Sequence, residues 1–197
     1  METLISIDEL ILLAINSWRS GWMDEVMWII SGKLTWFPLY IGLLILVYVT
    51  IKKKKNFIYF FIIGAISIGA ADAIANFGFK QTIKRYRPSH HLQLSEKLHY
   101  YTAENGKEYR GGQYGFISGH ATNSFAIAVF FGLFFYTNSK KKIFYLMLLW
   151  AAIVSYSRIY LGVHYPTDII AGAALGSIIA FASHKLFMKL KLQELSD

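Results

Sequence analysis

Three short polar groups interrupt an otherwise apolar chain, and each holds residue types that handle phosphate. The first contains Lys80, Lys84, Arg85 and Arg87, closed by Pro88. If the apolar helix before it continues, Lys80 and Arg87 lie seven residues apart on one face, and Pro88 then ends the helix. A guanidinium fork beside an ammonium point charge suits a phosphate, although a basic patch that only meets lipid headgroups has the same composition. The second group is Ser118, Gly119 and His120, directly before an apolar helical run. Ser118 is a good N-cap, and the amides of Gly119 and His120 fall at the helix end that favours an anion. A lone His at a helix start is more often structural. The third group holds Ser157, Arg158, His164, Pro166 and Asp168. Pro166 suits a first helical turn. A carboxylate four residues after a His can hold one ring nitrogen and leave the other free and nucleophilic.

These residues must be carried by something, and the composition says what. Of 197 residues, 55% are hydrophobic and only 16% charged, below the roughly 25% of a soluble domain. Aromatic residues make up 17%, a type that collects where bilayer meets water. With no cysteine, disulfides, thiolate catalysis and thiolate metal sites are excluded. The early Glu2, Asp8 and Glu9 do not suit a cleavable signal peptide. The net charge of +8 does not mark a nucleic-acid partner, because much of the Lys stands in clusters between apolar runs.

Five apolar stretches approach the length of about 20 residues that a membrane helix needs: 34–51, 57–79, 119–137, 143–160 and 167–187. Segment 5–30 is apolar but broken by Asp8, Glu9, Arg19, Asp24 and Glu25, which predicts one or two amphipathic helices. Trp18, Trp22 and Trp28 are their expected anchors, and a sixth span there stays open. The expected fold is all-α: a polytopic transmembrane bundle of five to six spans plus N-terminal interfacial helices. It forms a single domain, with an amphipathic region 1–33, a membrane core 34–187 and a cytoplasmic tail 188–197. Clusters at Lys52 to Lys55, at Lys140 to Lys142, and at Lys185, Lys189 and Lys191 follow odd-numbered spans. All fall on one side, cytoplasmic by the positive-inside rule. All three polar groups then converge on the outer face, the outline of a phosphoryl-transfer site. Gly172 with Gly176, and Ala65 with Gly69, are spaced for close helix packing.

With its residues laid out, the chain resembles the type 2 phosphatidic acid phosphatase superfamily, whose signature is Lys-x6-Arg-Pro, Pro-Ser-Gly-His and Ser-Arg-x5-His-x3-Asp. Lys80, Arg87 and Pro88 match the first part; Ser118, Gly119 and His120 the second; Ser157, Arg158, His164 and Asp168 the third. Ile117 replaces the usual Pro and removes no reacting group. The resemblance covers about residues 34 to 187 and implies a helical bundle with the site at its outer end. It implies that His164 attacks phosphorus, that Asp168 orients it, and that His120 protonates the leaving oxygen and then activates water. Lys80, Arg87, Ser118, Gly119 and Arg158 would hold the phosphoryl oxygens, with no metal and no cofactor.

The expected function is therefore metal-independent removal of phosphate from a lipid at the outer face of a bacterial inner membrane. Isoprenyl pyrophosphate is the first choice, before phosphatidylglycerol phosphate, phosphatidic acid and a lipid A phosphate. A phosphotransferase acting on a second lipid, or a lipid-binding or transport protein without catalysis, are the alternatives. Asp72 and Asn76 lie on one stripe before Lys80, and Asp72 is expected to neutralise a nearby cation. His90, His91 and His99, with Tyr100, Tyr101, Tyr109 and Tyr114, belong to a long outer loop expected to select substrate. Lys84 and Arg85 could touch a second phosphate.

Overall fold

The apolar runs have no strand-like alternation and are long enough to close their own backbone hydrogen bonds as helices, the form a chain needs inside a bilayer. A computed structural model describes residues 2–196, with side chains described for 7–192. Seven helices carry the fold among the described residues. They are α1 (Glu2–Ser17), α2 (Gly21–Ser31), α3 (Phe37–Thr50), α4 (Lys54–Ala73), α5 (Gly119–Thr137), α6 (Lys141–Tyr160) and α7 (Pro166–Ser196). A π-helical stretch, Ile74–Lys80, and a last turn, Gln81–Ile83, prolong α4.

Among the described residues, four helical segments are long and apolar enough to cross a membrane: Lys54–Ile83, Gly119–Thr137, Lys141–Tyr160 and Pro166–Leu192. The chain is an integral membrane protein. The expected first span differs. Helix α3 has 14 residues, so it reaches about 21 Å, short of a hydrocarbon core of about 30 Å. It qualifies as a fifth span only together with α2, from which it is bent by 72°. Segment 5–30 does form two helices, separated at Trp18. Trp18 and Trp22 are exposed. Trp28 is not: its ring stacks on Tyr101 at 4.5 Å.

Helix α5 is the centre, because its apolar residues face neighbours on most sides. Phe60 of α4 meets Phe130 and Phe134 of α5 and Phe187 of α7, with ring centroids 4.7, 4.9 and 5.3 Å apart. Gly172 and Gly176 let α7 cross α5 closely. A Cβ at either would stand 2.6 Å from the Ser118 carbonyl oxygen or 2.1 Å from that of Thr122. The Ala65–Gly69 pair does not pack this way. Nothing lies within 4 Å of a Cβ built on Gly69, and both residues line cavities.

Antiparallel succession puts the starts of α4 and α6 and the end of α5 at one end of the bundle, where Lys140 Nζ donates to Thr50 Oγ1 at 3.1 Å. The end of α4, the starts of α5 and α7 and the end of α6 meet at the other. There the 84–118 connection is folded down by short 3₁₀ turns and by two isolated bridges, Tyr86 with Tyr114 and Thr102 with Glu108. Its tyrosines are tied to the protein. Tyr101 stacks on Trp28, Tyr114 packs on Tyr86, and the Tyr109 hydroxyl accepts from Arg158 Nη2 at 2.8 Å.

Candidate active site

Helix α4 does not carry Lys80 and Arg87 on one face. It ends at Ile83, and Lys84 turns left-handed with φ 50°. The backbone beyond pairs with the loop instead: Arg87 N–H donates to Gln113 O, and Gly115 N–H to Arg85 O. This pairing captures Arg87 in an extended conformation before Pro88. The two cations nonetheless line one cavity of about 530 Å³, together with Gly119, His120, Asn123 and His164.

Each helix end contributes by a local cause. Ser118 caps α5, its Oγ accepting from Ala121 N at 3.4 Å, while its own N–H donates to the Asp168 carbonyl at 3.0 Å. That second bond ties the start of α5 to the start of α7. Gly119 leaves room for Lys80, whose Nζ would stand 3.4 Å from a Cβ there. An ammonium thus lies against a helix N-terminus, a place made for an anion.

His164 and Asp168 straddle the start of α7. Asp168 Oδ2 lies 3.3 Å from His164 Nδ1 and accepts the Tyr165 N–H at 3.1 Å. The other ring nitrogen, Nε2, is buried and has no hydrogen-bond partner among the described residues. Burial, then Arg87 and Arg158, push the His164 pKa well below the usual histidine value, so the ring is neutral at pH 7. A neutral imidazole with a free Nε2 can act as a nucleophile.

The partners of the cations separate two classes. Arg158 donates to Ser31 Oγ and to the Tyr109 hydroxyl. Arg87 donates to the carbonyls of Tyr114 and Val163, at 3.1 and 3.4 Å. Lys80 donates to Asn76 Oδ1 at 2.7 Å. All these acceptors are neutral, so the positive charge is left for an anion. Burial, then the charge of Arg158, bring the Arg87 pKa down to about 10, so it stays charged at pH 7. Arg85 is different: it bonds Asp8 and Asp168 at 2.7 and 2.9 Å. Two carboxylates neutralise it.

Asp72 reaches Lys80 through Asn76, accepting from Asn76 Nδ2 at 2.9 Å and from Asn123 Nδ2 at 2.8 Å. It orders the amide that holds the ammonium. Two contributors were not anticipated. Lys33, at the break between α2 and α3, lines the main cavity and an adjoining one of about 390 Å³ beside His120 and Arg158. Its only sequence signal is a cation after Ser31 and Gly32 between apolar runs. Asp8 had a clearer one, as a carboxylate in an apolar helix. A third cavity, of about 300 Å³, is apolar and shares Tyr40, Ile68 and Ile127 with the main one.

The family model described as PAP2 superfamily matches residues 57–192. The chain is 35% identical over 192 residues to the lipid A 4'-phosphatase of Porphyromonas gingivalis, covering 95% of this chain and 76% of that protein. It is also 35% identical over 195 residues to the lipid A 4'-phosphatase of Bacteroides thetaiotaomicron, covering 97% and 83%. Its fold matches the crystal structure of the first transmembrane PAP2-type phosphatidylglycerolphosphate phosphatase from Bacillus subtilis. That match has a TM-score of 0.72 at 22% identity, over 96% of this chain and 88% of the other. The chain belongs to the PAP2 superfamily, as a membrane-embedded phosphatase.

Proposed function

We propose that the protein removes phosphate from a phosphorylated lipid through a phosphohistidine at His164. The observation that carries this is the free, buried Nε2 of His164 in a cavity wall shared with Lys80, Arg87, Gly119 and His120. Nε2 attacks phosphorus while the bond to the leaving oxygen breaks. His120 gives that oxygen its proton. A water then attacks the phosphohistidine, His120 takes the water's proton, and phosphate departs with His164 restored. Lys80, Arg87 and Arg158, with Ser118 and the Gly119 amide, stabilise the charge on the equatorial oxygens, the main demand of phosphoryl transfer.

A lipid substrate is supported by the apolar cavity that shares Tyr40, Ile68 and Ile127 with the site cavity. A lipid tail favours the membrane over water by about 0.8 kcal/mol per CH₂, so such a substrate enters laterally. The Lys clusters lie at the end opposite His164, so the positive-inside rule turns the site outward. Of the candidate headgroups, a lipid A phosphate comes first. Two relatives of that name align with nearly the whole chain, which displaces isoprenyl pyrophosphate from first place.

The test is phosphate release by detergent-purified protein, with excess chelator, from a panel containing lipid A, isoprenyl pyrophosphate, phosphatidylglycerol phosphate and phosphatidic acid. Release is expected to be fastest from lipid A and absent in His164→Ala. Turnover retained by that variant overturns the nucleophile, and a different fastest lipid overturns the headgroup.

A further inference from the structure

Arg85 and Asp8 belong to no part of the signature, yet they form the best-connected polar cluster at this end of the bundle. Asp8 is 3% exposed, and burying a carboxylate is costly unless it is paired and hydrogen-bonded. Here both oxygens accept hydrogen bonds. Oδ1 accepts the Thr167 N–H at 2.9 Å, an unpaired donor in the first turn of α7. Oδ2 accepts from Arg85 Nη2 at 2.7 Å and from the Thr167 hydroxyl. Arg85 Nη1 donates to Thr167 Oγ1 at 2.7 Å and to Asp168 Oδ1 at 2.9 Å. The guanidinium stacks 3.9 Å above the Tyr165 ring.

These bonds form one line. Asp8 holds Arg85, Arg85 holds Oδ1 of Asp168, and Oδ2 of Asp168 faces His164 Nδ1. A carboxylate bonded through both oxygens cannot swing, so the imidazole it faces is fixed as well. Only a guanidinium has the planar fork to hold two carboxylates at once.

We propose that Asp8 and Arg85 are positioning residues for the reaction: acting through Asp168 they aim His164, which makes the N-terminal helix α1 a working part of the site. This rests on the nucleophile assigned above. It gives a reason for a buried carboxylate in α1, and for an arginine beside a phosphate site whose charge is taken up by two carboxylates.

The test compares Asp8→Asn, Arg85→Ala and Arg85→Lys with wild type, each alone and with Asp168→Asn, using full-length protein and lipid A. His164→Ala runs as the control. Asp8→Asn keeps an acceptor for Thr167, so it carries the test by itself if Arg85→Ala does not fold. Misaiming a nucleophile is expected to lower kcat by about tenfold or more with KM within about twofold. Arg85→Lys is expected not to rescue. In the Asp168→Asn background the same changes are expected to cost less than about twofold, since residues acting as a unit are not additive. Unchanged kcat in Asp8→Asn overturns the proposal. So does a full loss that multiplies with Asp168→Asn, or a change confined to KM. Activity in His164→Ala overturns the nucleophile instead, so the two failures are told apart.

Discussion

Asp168 Oδ2 and His164 Nδ1 face each other at 3.3 Å across one turn at the start of α7, which leaves Nε2 as the nitrogen turned to the cavity. Asp168→Asn keeps the shape and removes the charge that holds this tautomer. In an Asp–His pair of this kind the loss in kcat is on the order of 10⁴. For this protein a fall of about 10²–10⁴ is expected, with KM changed by a few-fold at most. Base-quenched reactions with labelled substrate should still trap labelled protein in Asp168→Asn, slowly, and none in His164→Ala. A wild-type kcat in Asp168→Asn would remove the carboxylate from the mechanism.

Titration gives a second expectation. Burial, followed by Arg87 and Arg158, keeps the folded-state pKa of His164 well below its ordinary value. An unfolded chain takes up this proton near pH 6.5, while the folded protein does not until a much lower pH. The unfolded state therefore binds more protons in that window, and stability falls as pH drops below about 6.5. The melting temperature of wild type in detergent, relative to that of His164→Gln, should decline between about pH 7 and 5. Equal slopes in the two proteins would contradict a buried neutral His164.

The residues that meet at the site were legible in the sequence because phosphate chemistry needs particular side chains at particular spacings. Lys80, Arg87, His120 and His164 all line one cavity, although the reason given for the first two was wrong. Helical spacing predicts a shared face, but the backbone near Arg87 pairs with residues near Tyr114, and such a long-range contact leaves no local periodicity. The same limit hid Asp8, whose partner Thr167 is 159 residues away. Arg85 shows a further limit: sequence displays its charge but not the two carboxylates that neutralise it. Small-residue spacing was right for Gly172 and Gly176 and wrong for Gly69, because spacing identifies a smooth helix face without saying whether a helix or a cavity meets it.

Charge held by neutral partners leads to a third prediction. Arg87 bonds two carbonyls through Nε and Nη1, an arrangement that an ammonium cannot copy. Arg87→Lys should lower kcat/KM by about 10²-fold, as for loss of one donor to a developing oxyanion. Lys33 lines the cavity without belonging to any motif. Lys33→Ala should mainly raise KM, by several-fold, and weaken the salt dependence of kcat/KM, since an exposed cation attracts substrate over screened distances. A kcat loss in Lys33→Ala as deep as that in Arg87→Lys would place Lys33 among the groups that hold the reacting phosphoryl.

The helix crossing supplies the last prediction. A Cβ at Gly176 would lie 2.1 Å from the Thr122 carbonyl oxygen, and one at Gly172 would lie 2.6 Å from that of Ser118. Both obstacles are backbone, so α7 must move away from α5. Overpacking of this kind costs about 1–3 kcal/mol, and at this chain length each kcal/mol corresponds to roughly 2–4 °C in melting temperature. Gly172→Ala and Gly176→Ala should therefore both melt several degrees below wild type in detergent. Their effects on catalysis should differ. Ser118 N–H donates to the Asp168 carbonyl, so a shift at Gly172 separates the two helix starts that carry the site, and kcat should fall further there than in Gly176→Ala. Gly69→Ala is the control, because its added methyl meets nothing within 4 Å and Ala is the better helix former, so the melting temperature should not fall. Wild-type melting and kcat in Gly172→Ala would mean that the close crossing of α5 and α7 does not set the distance between Ser118 and Asp168.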